Sequence, residues 1–298
     1  MELQICWDGS HGRKVARAGD GEQIRDRIYT PRVHPIERLR YVARSQGAPA
    51  EMLVQESAIA LGAFRDDPAG MVAACRRIID RQLTCGPLWW LCARILSAPD
   101  PMVEAREAVR EMDQDPTGAR LAAELPDGAS VAVVGWPAQS VAALRRRGDL
   151  EVLVVDVAGE ADEAVDQLLR MDVDASAVPA RGAGAAVVVA DLVLLESFAV
   201  GPEQALVPAG SYAAAAIARE RGVPVWMVAG VGRMMPASMF DALTNRWSVG
   251  ADPLAADEEV VPLGLIDRVA CADGVVEVAD GLRRTDCPVA PELFRLAG

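Results

Sequence analysis

The segment after Pro126 alternates short runs rich in valine and leucine with stretches of helical periodicity. Several of the apolar runs lack a regular polar–apolar alternation, which is typical of parallel strands buried on both faces. Strands and helices that alternate in this way predict a doubly wound sheet, and ligands on such sheets bind beyond the carboxyl ends of the strands. The predicted strands are residues 130–134, 152–156, 173–177, 192–195 and 225–228, and the predicted helices between them are residues 138–146, 160–170 and 211–221.

The residues before position 126 show helical periodicity alone. Asp67-Pro68 and Asp115-Pro116 are predicted to start or interrupt helices. One segment, residues 88–96, is apolar nearly all round and therefore predicts a buried helix. The predicted helical segments lie within residues 35–64 and at residues 71–79, 88–96, 105–112 and 118–125.

These two patterns together predict the fold class α/β. We expect an N-terminal helical domain over residues 1–125, followed by a Rossmann-like domain with a doubly wound parallel sheet over residues 126–298. A chain of 298 residues, half of them apolar, can bury a core in each domain.

The charge of the chain argues against nucleic acid as a partner. The formal net charge is −13, and phosphate backbones are bound by clustered lysine and arginine. The N-terminal residues lack an apolar stretch of signal-peptide length, and no window approaches 18 uninterrupted apolar residues. We therefore expect a soluble, cytoplasmic protein that does not enter a membrane.

The cysteine and histidine residues do not predict a metal site. No two cysteines form a Cys-x-x-Cys pair, and His11 and His34 are the only histidines. Buried, reduced thiols are the expected state in a protein of this size. No metal and no cofactor is predicted. The six cysteines are Cys6, Cys75, Cys85, Cys92, Cys271 and Cys287.

Three stretches carry a resemblance to a known family. Residues 46–50 read QGAPA, similar to the motif Arg-Gly-Ala-Pro-Ala, and residues 81–89 read RQLTCGPLW, similar to Arg-Pro-Thr-Ala-Val-Asn-Leu-Phe-Trp. Residues 190–197 read ADLVLLES, similar to a strand Val-Asp-x-Val-Leu-Leu-Gly-Ala; GSY at 210–212 and GVPVW at 222–226 follow it. In this order and spacing, the motifs resemble those of the family of methylthioribose-1-phosphate isomerase and the regulatory initiation factor 2B subunits.

The sequence departs from that family at the residues on which its isomerases are expected to depend. The resemblance implies a cysteine in the loop after the first sheet strand, but the loop reads VGWPA with Trp136 nearest that position. It implies an aspartate after the third strand, but residues 179–182 read PARG. The arginine of the first motif is Gln46, and the lysine before residues 210–212 is also missing. Because isomerisation of a sugar needs a positioned acid–base group, the standard reaction of the family is doubtful here.

Two carboxylates are the candidate catalytic residues. Glu196 ends a predicted buried strand, where burial can raise its pKa and suit it to proton transfer; a salt bridge to Arg181 or Arg233 is the alternative. Asp156 ends the second strand, where an acid can bind a ligand hydroxyl or start the next helix.

The candidate ligand-binding residues line the same expected cleft. Arg81 can meet an anion or form a surface ion pair, and Gly210-Ser211 can bind an anion through free backbone N–H groups or serve only as a helix cap. Trp136 can fill the pocket or stack on a flat ligand. The remaining candidates are Gly47, Ala48, Gln139, Ser140 and Ser197.

Two functions of different classes follow. In the first, a diverged member of the family binds a sugar-phosphate-like or nucleotide-derived small molecule in the cleft between the domains, as an enzyme acting with new residues. In the second, the protein is a non-catalytic, homodimeric regulatory or assembly protein with a filled cleft. The resemblance implies a homodimer through the C-terminal domain, and the apolar run at residues 260–269 would fit a buried contact.

Overall fold

The structure, a computed structural model, describes Val42, residues 48–283, Thr285 and residues 287–294. Five helices precede the first strand, and six further helices lie between or after the strands in the described part of the chain. They are α1 (Ala50–Leu61), α2 (Pro68–Arg81), α3 (Gly86–Ser97), α4 (Pro101–Asp113), α5 (Thr117–Glu124), α6 (Val141–Leu144), α7 (Ala161–Leu169), α8 (Ala183–Val189), α9 (Ser211–Arg221), α10 (Ala237–Gly250) and α11 (Val278–Leu282).

The strands form two sheets. The larger has seven strands in the order β10-β9-β7-β4-β1-β2-β3, with every neighbouring pair parallel except β9 and β10. The smaller is antiparallel, in the order β5-β6-β8. The strands are β1 (Ser130–Val134), β2 (Glu151–Asp156), β3 (Asp174–Pro179), β4 (Leu192–Glu196), β5 (Ala199–Val200), β6 (Gln204–Pro208), β7 (Val225–Val228), β8 (Glu258–Pro262), β9 (Arg268–Cys271) and β10 (Gly274–Glu277).

The central strands are apolar between their end residues, and helices cover both faces of the sheet. On one face, Val131 and Val133 of β1 pack with α5, α6 and α7. On the other face, Ala132 and Val134 pack with α8 and α9. Alternate residues of one strand thus enter different cores, which is the physical reason for the missing polar–apolar alternation. The predicted α/β class with a doubly wound, mostly parallel sheet is confirmed.

Several predicted elements match closely. Helix α9 has the predicted bounds, and Gly222 ends it in the left-handed conformation with φ 73°. Asp67 accepts a hydrogen bond from the backbone N–H of Gly70 at 2.9 Å and so caps α2. Residues 88–93 of α3 are fully buried, as the uniformly apolar pattern predicted. The first predicted helical motif, at residues 35–47, lies outside the described residues apart from Val42.

Other elements differ from the prediction. The helix predicted at residues 138–146 is only one turn, α6, because the residues before it form a loop. The small sheet and α10 were not predicted. In the apolar run at residues 260–269, Val261 pairs within the small sheet and Val269 within the large one, and both side chains are fully buried. These two residues therefore pack within their own chain, and a part of this run in a dimer contact stays a prediction.

The helices α1 to α4 pack onto the small sheet and α10. Their apolar side chains form one core with Leu206 of β6 and Phe240 of α10. The backbone N–H of Gly86, at the start of α3, donates to the carbonyl of Phe198 at 3.1 Å. A side chain at position 86 would place its Cβ 2.3 Å from that oxygen, so this contact requires glycine. The division into domains at residues 125/126 falls in the loop between α5 and β1 and stays a prediction.

No helix in the described part of the chain is both long enough and apolar enough to cross a membrane.

Candidate functional site

The strand order places a cleft at the carboxyl ends of β1 and β4. Strand β1 lies between β2 and β4. The strands that follow β1 directly, β2 and β3, lie on one side of it. The later strands of the sheet, beginning with β4, lie on its other side. Such a reversal of strand order is where ligands bind in open α/β sheets. The loop at residues 135–140 follows β1, and Glu196 is the last residue of β4. Both therefore lie at the position where a ligand would be expected.

The carboxylate of Glu196 binds the loop that follows β1. One oxygen, Oε2, accepts from the backbone N–H of Gln139 at 2.9 Å. The other, Oε1, accepts from the backbone N–H of Ser140 at 2.8 Å and from the Ser140 hydroxyl at 2.6 Å. Glu196 is 5% exposed. The side chain is therefore buried, and both of its oxygens are bound by protein donors.

Burial raises the pKa of Glu196 above its usual value of 4.5. The hydrogen bonds from Ser140 and from the two backbone N–H groups oppose this shift, and the charge of Arg233 opposes it more weakly. The pKa rises because the loss of water around the carboxylate raises it more than the hydrogen bonds lower it.

This shift predicts a pH dependence of stability. Because the folded-state pKa of Glu196 lies above the unfolded value, the group contributes stability below pH 4.5 that is lost as pH rises through the folded pKa. The variant Glu196→Gln has no such titration. We expect the free energy of unfolding of the wild type, minus that of the variant, to fall as pH rises above 4.5. Urea unfolding of the wild type and the variant at pH values from below 4.5 upward measures this difference in the free energy of unfolding. A difference that grows with pH would contradict a raised pKa for Glu196.

Gln139 and Ser197 join the same hydrogen-bond network. The Gln139 side chain donates from Nε2 to the carbonyl of Ser197 at 2.9 Å and accepts from the backbone N–H of Gly230 at 3.0 Å. The Ser197 hydroxyl donates to the carbonyl of Val228 at 2.7 Å. The structure thus brings together Gln139, Ser140, Glu196 and Ser197, all of them predicted, and each of these polar side chains is bound to another part of the chain.

Trp136 lies in the same loop but packs on the sheet. It is partly buried against the core formed by one face of the sheet with α5, α6 and α7. Gly135 before it has φ 68°, a left-handed conformation that lets the chain turn sharply as it leaves β1. Packing against this core tests neither predicted role of Trp136, so pocket filling and stacking on a ligand both stay predictions.

Asp156 and the residues at 210–211 lie further along the same edge of the sheet. Asp156 Oδ1 accepts from the backbone N–H of Gly159 at 2.7 Å, in the turn before α7. Gly210, with φ 89°, is the N-cap of α9, and Ser211 is fully buried with no partner for its hydroxyl among the described residues. The next N–H, that of Tyr212, donates to a carboxylate of Glu259 at 2.7 Å. The N-terminus of α9 therefore already donates a hydrogen bond to a carboxylate of the protein.

The first two resemblance motifs contribute little to this cleft. Arg81 is exposed in the last turn of α2, and Ala48 is half-buried beside the helical core. Gly47 lies outside the described residues. No predicted role of these residues is tested by their positions.

Two charged residues at the site were missed. Asp115 was assigned only as a helix break, but its carboxylate accepts from the N–H groups of Thr117 and Val231, both at 2.9 Å. Arg233, considered only as an ion-pair partner of Glu196, instead donates from Nε to the carbonyl of Ser197 at 2.9 Å. The sequence signal for both is weak, since each contact joins residues far apart in the chain.

The described cysteines are free thiols. Burial raises the pKa of Cys85 to about 11, although the nearby charge of Arg233 lowers it. The thiol is therefore protonated at neutral pH and is a poor nucleophile. No group of three or more potential metal ligands occurs among residues that the structure describes.

A pocket lies beside the cleft rather than in it. It has a volume of about 400 Å³ and opens between the end of α4 and the loops that follow β7 and β9. Its volume is within the range of small-molecule sites. The residues that line it are Glu111, Gln114, Pro116, Ala229, Gly230, Val231, Gly232, Met234, Cys271, Ala272 and Asp273.

A layer of helices packed on a doubly wound sheet, with an additional small antiparallel sheet, defines the fold class. It is the fold of the translation initiation factor eIF2B subunits and of 5-methylthioribose 1-phosphate isomerase. The predicted resemblance is confirmed at the level of the fold. No protein-family model matches the chain, and no curated protein matches it by sequence.

Three solved structures illustrate the likeness. The translation initiation factor eIF-2B of Pyrococcus horikoshii OT3 has a TM-score of 0.68 at 13% identity, covering 83% of this chain and 98% of its own. The eIF2B beta subunit of Chaetomium thermophilum has a TM-score of 0.67 at 14% identity, covering 87% and 92%. The 5-methylthioribose 1-phosphate isomerase of Pyrococcus horikoshii OT3 has a TM-score of 0.58 at 15% identity, covering 84% and 87%.

Proposed function

We propose that this protein is a non-catalytic, homodimeric regulatory or assembly protein, a diverged member of the eIF2B and methylthioribose-1-phosphate isomerase family. The observation that carries the proposal is the position of the Glu196 carboxylate. It occupies the cleft between the ends of β1 and β4 and takes three hydrogen bonds from Gln139 and Ser140. The protein thus fills, with its own anion, the place where a ligand anion would bind.

The same geometry argues against Glu196 as a general acid or base. Such a group has to reach a substrate atom, directly or through one water. Both oxygens of Glu196 face donors of the loop after β1, and the residue is 5% exposed. Asp156 is engaged by the turn before α7. Glu196 is therefore not presented to an open cleft, and Asp156 uses one carboxylate oxygen, Oδ1, in the turn.

The homodimer rests on the family resemblance rather than on the run at residues 260–269. A similar structure is described as the tetrameric eIF2B-beta2-delta2 complex of C. thermophilum, at 15% identity and a TM-score of 0.66. Because a protein of this fold forms a tetrameric complex in C. thermophilum, the fold supports an assembly role for this chain as well. We also expect the protein to work without nucleic acid, because its net charge is −13.

Light scattering coupled to size exclusion, together with an isomerase assay, tests the proposal. We expect a mass of twice 31.6 kDa and no turnover of 5-methylthioribose 1-phosphate followed by NMR. The matched variant Glu196→Gln is expected to show no turnover either and to differ only in stability. Turnover that is abolished in Glu196→Gln would overturn the non-catalytic assignment, and a monomer at all concentrations would overturn the assembly role.

A second candidate function follows from the pocket beside the cleft. Its volume of about 400 Å³ can hold a sugar-phosphate-like or nucleotide-derived molecule. A thermal-shift screen with sugar phosphates and nucleoside monophosphates tests it, since a ligand at 100 times its Kd stabilises a protein by about 2.7 kcal/mol. A phosphosugar that stabilises the wild type but not Gln114→Ala, which changes a residue lining the pocket, would support binding there. A response that is lost in Arg81→Ala and kept in Gln114→Ala would place the binding outside this pocket. If no compound stabilises the protein, ligand binding in this pocket is overturned and the assembly role is the function that stands.

A further inference from the structure

Two helices on one face of the large sheet expose apolar side chains to water. Helix α8 packs against helix α9, and the inner sides of both lie in the core that they form with the sheet. On the outer side, Val188 is 43% exposed, Val189 66% and Tyr212 45%. Three alanines beside them are exposed as well. The α8–α9 face, as we name this surface, consists of Ala185, Val188, Val189, Tyr212, Ala213 and Ala216.

Charged residues are absent from both helices except in the last turn of α9. No residue at positions 183–190 or 211–218 is charged, whereas 24% of the residues of the whole chain are. The two helices lie close together, since a Cβ added at Gly184 would be 3.5 Å from Cδ1 of Ile217. Because the outer side of a helix in a globular protein typically carries charged residues, this face is unusual for a surface in contact with water.

Neither helix formation nor packing within this chain accounts for the exposed valines. Valine forms helices less well than straight-chain residues, because its branched side chain loses rotamer freedom in a helix. Burial compensates for this loss in a core, but Val188 and Val189 stay in contact with water. A patch of exposed apolar residues with a polar rim is typical of a protein–protein contact.

Charged residues lie at the four ends of the two helices, and their signs alternate. Both helices run from the carboxyl edge of the sheet to its amino edge, because α8 connects β3 to β4, and α9 begins beside Val134 at the end of β1 and leads into β7. Arg181 precedes α8 and Asp191 follows it, and both are exposed. At α9 the signs are reversed, since the Glu259 carboxylate accepts a backbone N–H at its start and Arg221 ends it.

This pattern of charge makes the face complementary to itself. A two-fold contact presents the same surface patch from each copy. If the axis runs along the helices, α8 of one copy covers α9 of the other, and unlike charges meet at both ends. If the axis runs across the helices, each helix covers its own counterpart in the opposite direction, and unlike charges meet again. In either arrangement the apolar side chains lie between the two copies.

We propose that the α8–α9 face is the surface through which this chain binds a second copy of itself. The inference rests on the proposed homodimer and names the contact that forms it. A second copy fits because of the alternating charges, whereas a helix surface that binds lipid is rich in lysine and arginine around its apolar side. In contrast to Val261 and Val269, which are fully buried, the valines of this face are free to enter a contact.

Sedimentation velocity of the full chain over a range of concentrations tests this surface. The wild type is expected to have twice the mass of 31.6 kDa. Val189→Glu places a charge in the contact and is expected to weaken dimerisation about 100-fold or more, as for mismatched charges at an interface. Ala216→Glu, on the other helix, is expected to act in the same direction. Val249→Glu changes an 89% exposed valine of α10 outside the face and is expected to leave the dimer unchanged.

Circular dichroism separates a lost contact from a lost fold. Glutamate forms helices better than valine, so the Val189→Glu monomer is expected to keep its helical spectrum and to melt cooperatively. If that variant does not fold, Ala216→Glu decides.

The outcomes distinguish the surface from the dimer itself. A wild-type dimer that persists in both face variants would overturn this surface and leave the homodimer standing. A wild type that is monomeric at every concentration would overturn the homodimer, and the surface with it. Co-sedimentation of the wild type with phosphatidylcholine vesicles, lost in Val189→Glu, would assign the face to a lipid surface and overturn the proposal.

Discussion

Replacing Glu196 by alanine is expected to lower the free energy of unfolding by about 3–5 kcal/mol, because three buried donors lose their acceptor. The variant leaves the backbone N–H groups of Gln139 and Ser140 and the Ser140 hydroxyl without an acceptor. Each buried donor left unpaired costs about 1–3 kcal/mol, less what rearranged water recovers. Urea unfolding of the wild type and the variant measures the difference.

Glu203→Ala is the matched control for this substitution. Glu203 is exposed, and its replacement is expected to change stability by less than about 0.5 kcal/mol. Acetate is expected to restore part of the stability of Glu196→Ala, because a free carboxylate can occupy the space beside the same donors. A variant as stable as the wild type would show that the carboxylate does not hold the loop, and the filled-cleft proposal would lose its basis.

Replacing Trp89 by alanine is expected to lower the free energy of unfolding by about 3–5 kcal/mol, as for a large side chain deleted from a core. Trp89 is fully buried, its indole N–H donates to the carbonyl of Leu83 at 2.9 Å, and the guanidinium of Arg246 lies 5.2 Å from the ring centroid. Chemical denaturation measures the loss. Trp89→Phe is expected to cost less, since it keeps most of the packing.

Leu254→Ala serves as the control for Trp89, because Leu254 is 97% exposed and its replacement is expected to be neutral. The test also concerns the family resemblance, since Trp89 ends the second motif, at residues 81–89. A large loss of stability would show that the motif builds the core between α3 and its neighbours. A tolerated Trp89→Ala, with a lost response to ligands, would instead assign the motif to binding.

Local patterns in the sequence predicted the elements with strong internal signals. Helix α9 begins where predicted and ends at Gly222, since a left-handed glycine stops a helix whatever surrounds it. Strands β1 and β4 were predicted because runs such as residues 192–195 are apolar throughout. Helix α6 was predicted too long, because the N–H groups of Gln139 and Ser140 bind Glu196, 57 and 56 residues away in the chain.

The candidate site was predicted in part. Position at the end of a buried strand is a local property, so Glu196 and Ser197 were identified from β4 alone. Their partners were not, because nothing in the sequence near Arg233 indicates that it donates to the carbonyl of Ser197, 36 residues earlier. Asp115 likewise contacts Val231 across 116 residues.

The sequence by itself determined the α/β class and five strands of the parallel sheet, namely β1, β2, β3, β4 and β7. These depend on residue identity and short-range periodicity. The tertiary structure alone decided that the Glu196 carboxylate binds the loop after β1 and that Arg233 donates to the carbonyl of Ser197. Both outcomes depend on which distant donors and acceptors the strand order brings within hydrogen-bonding distance, and on how completely packing removes water from them.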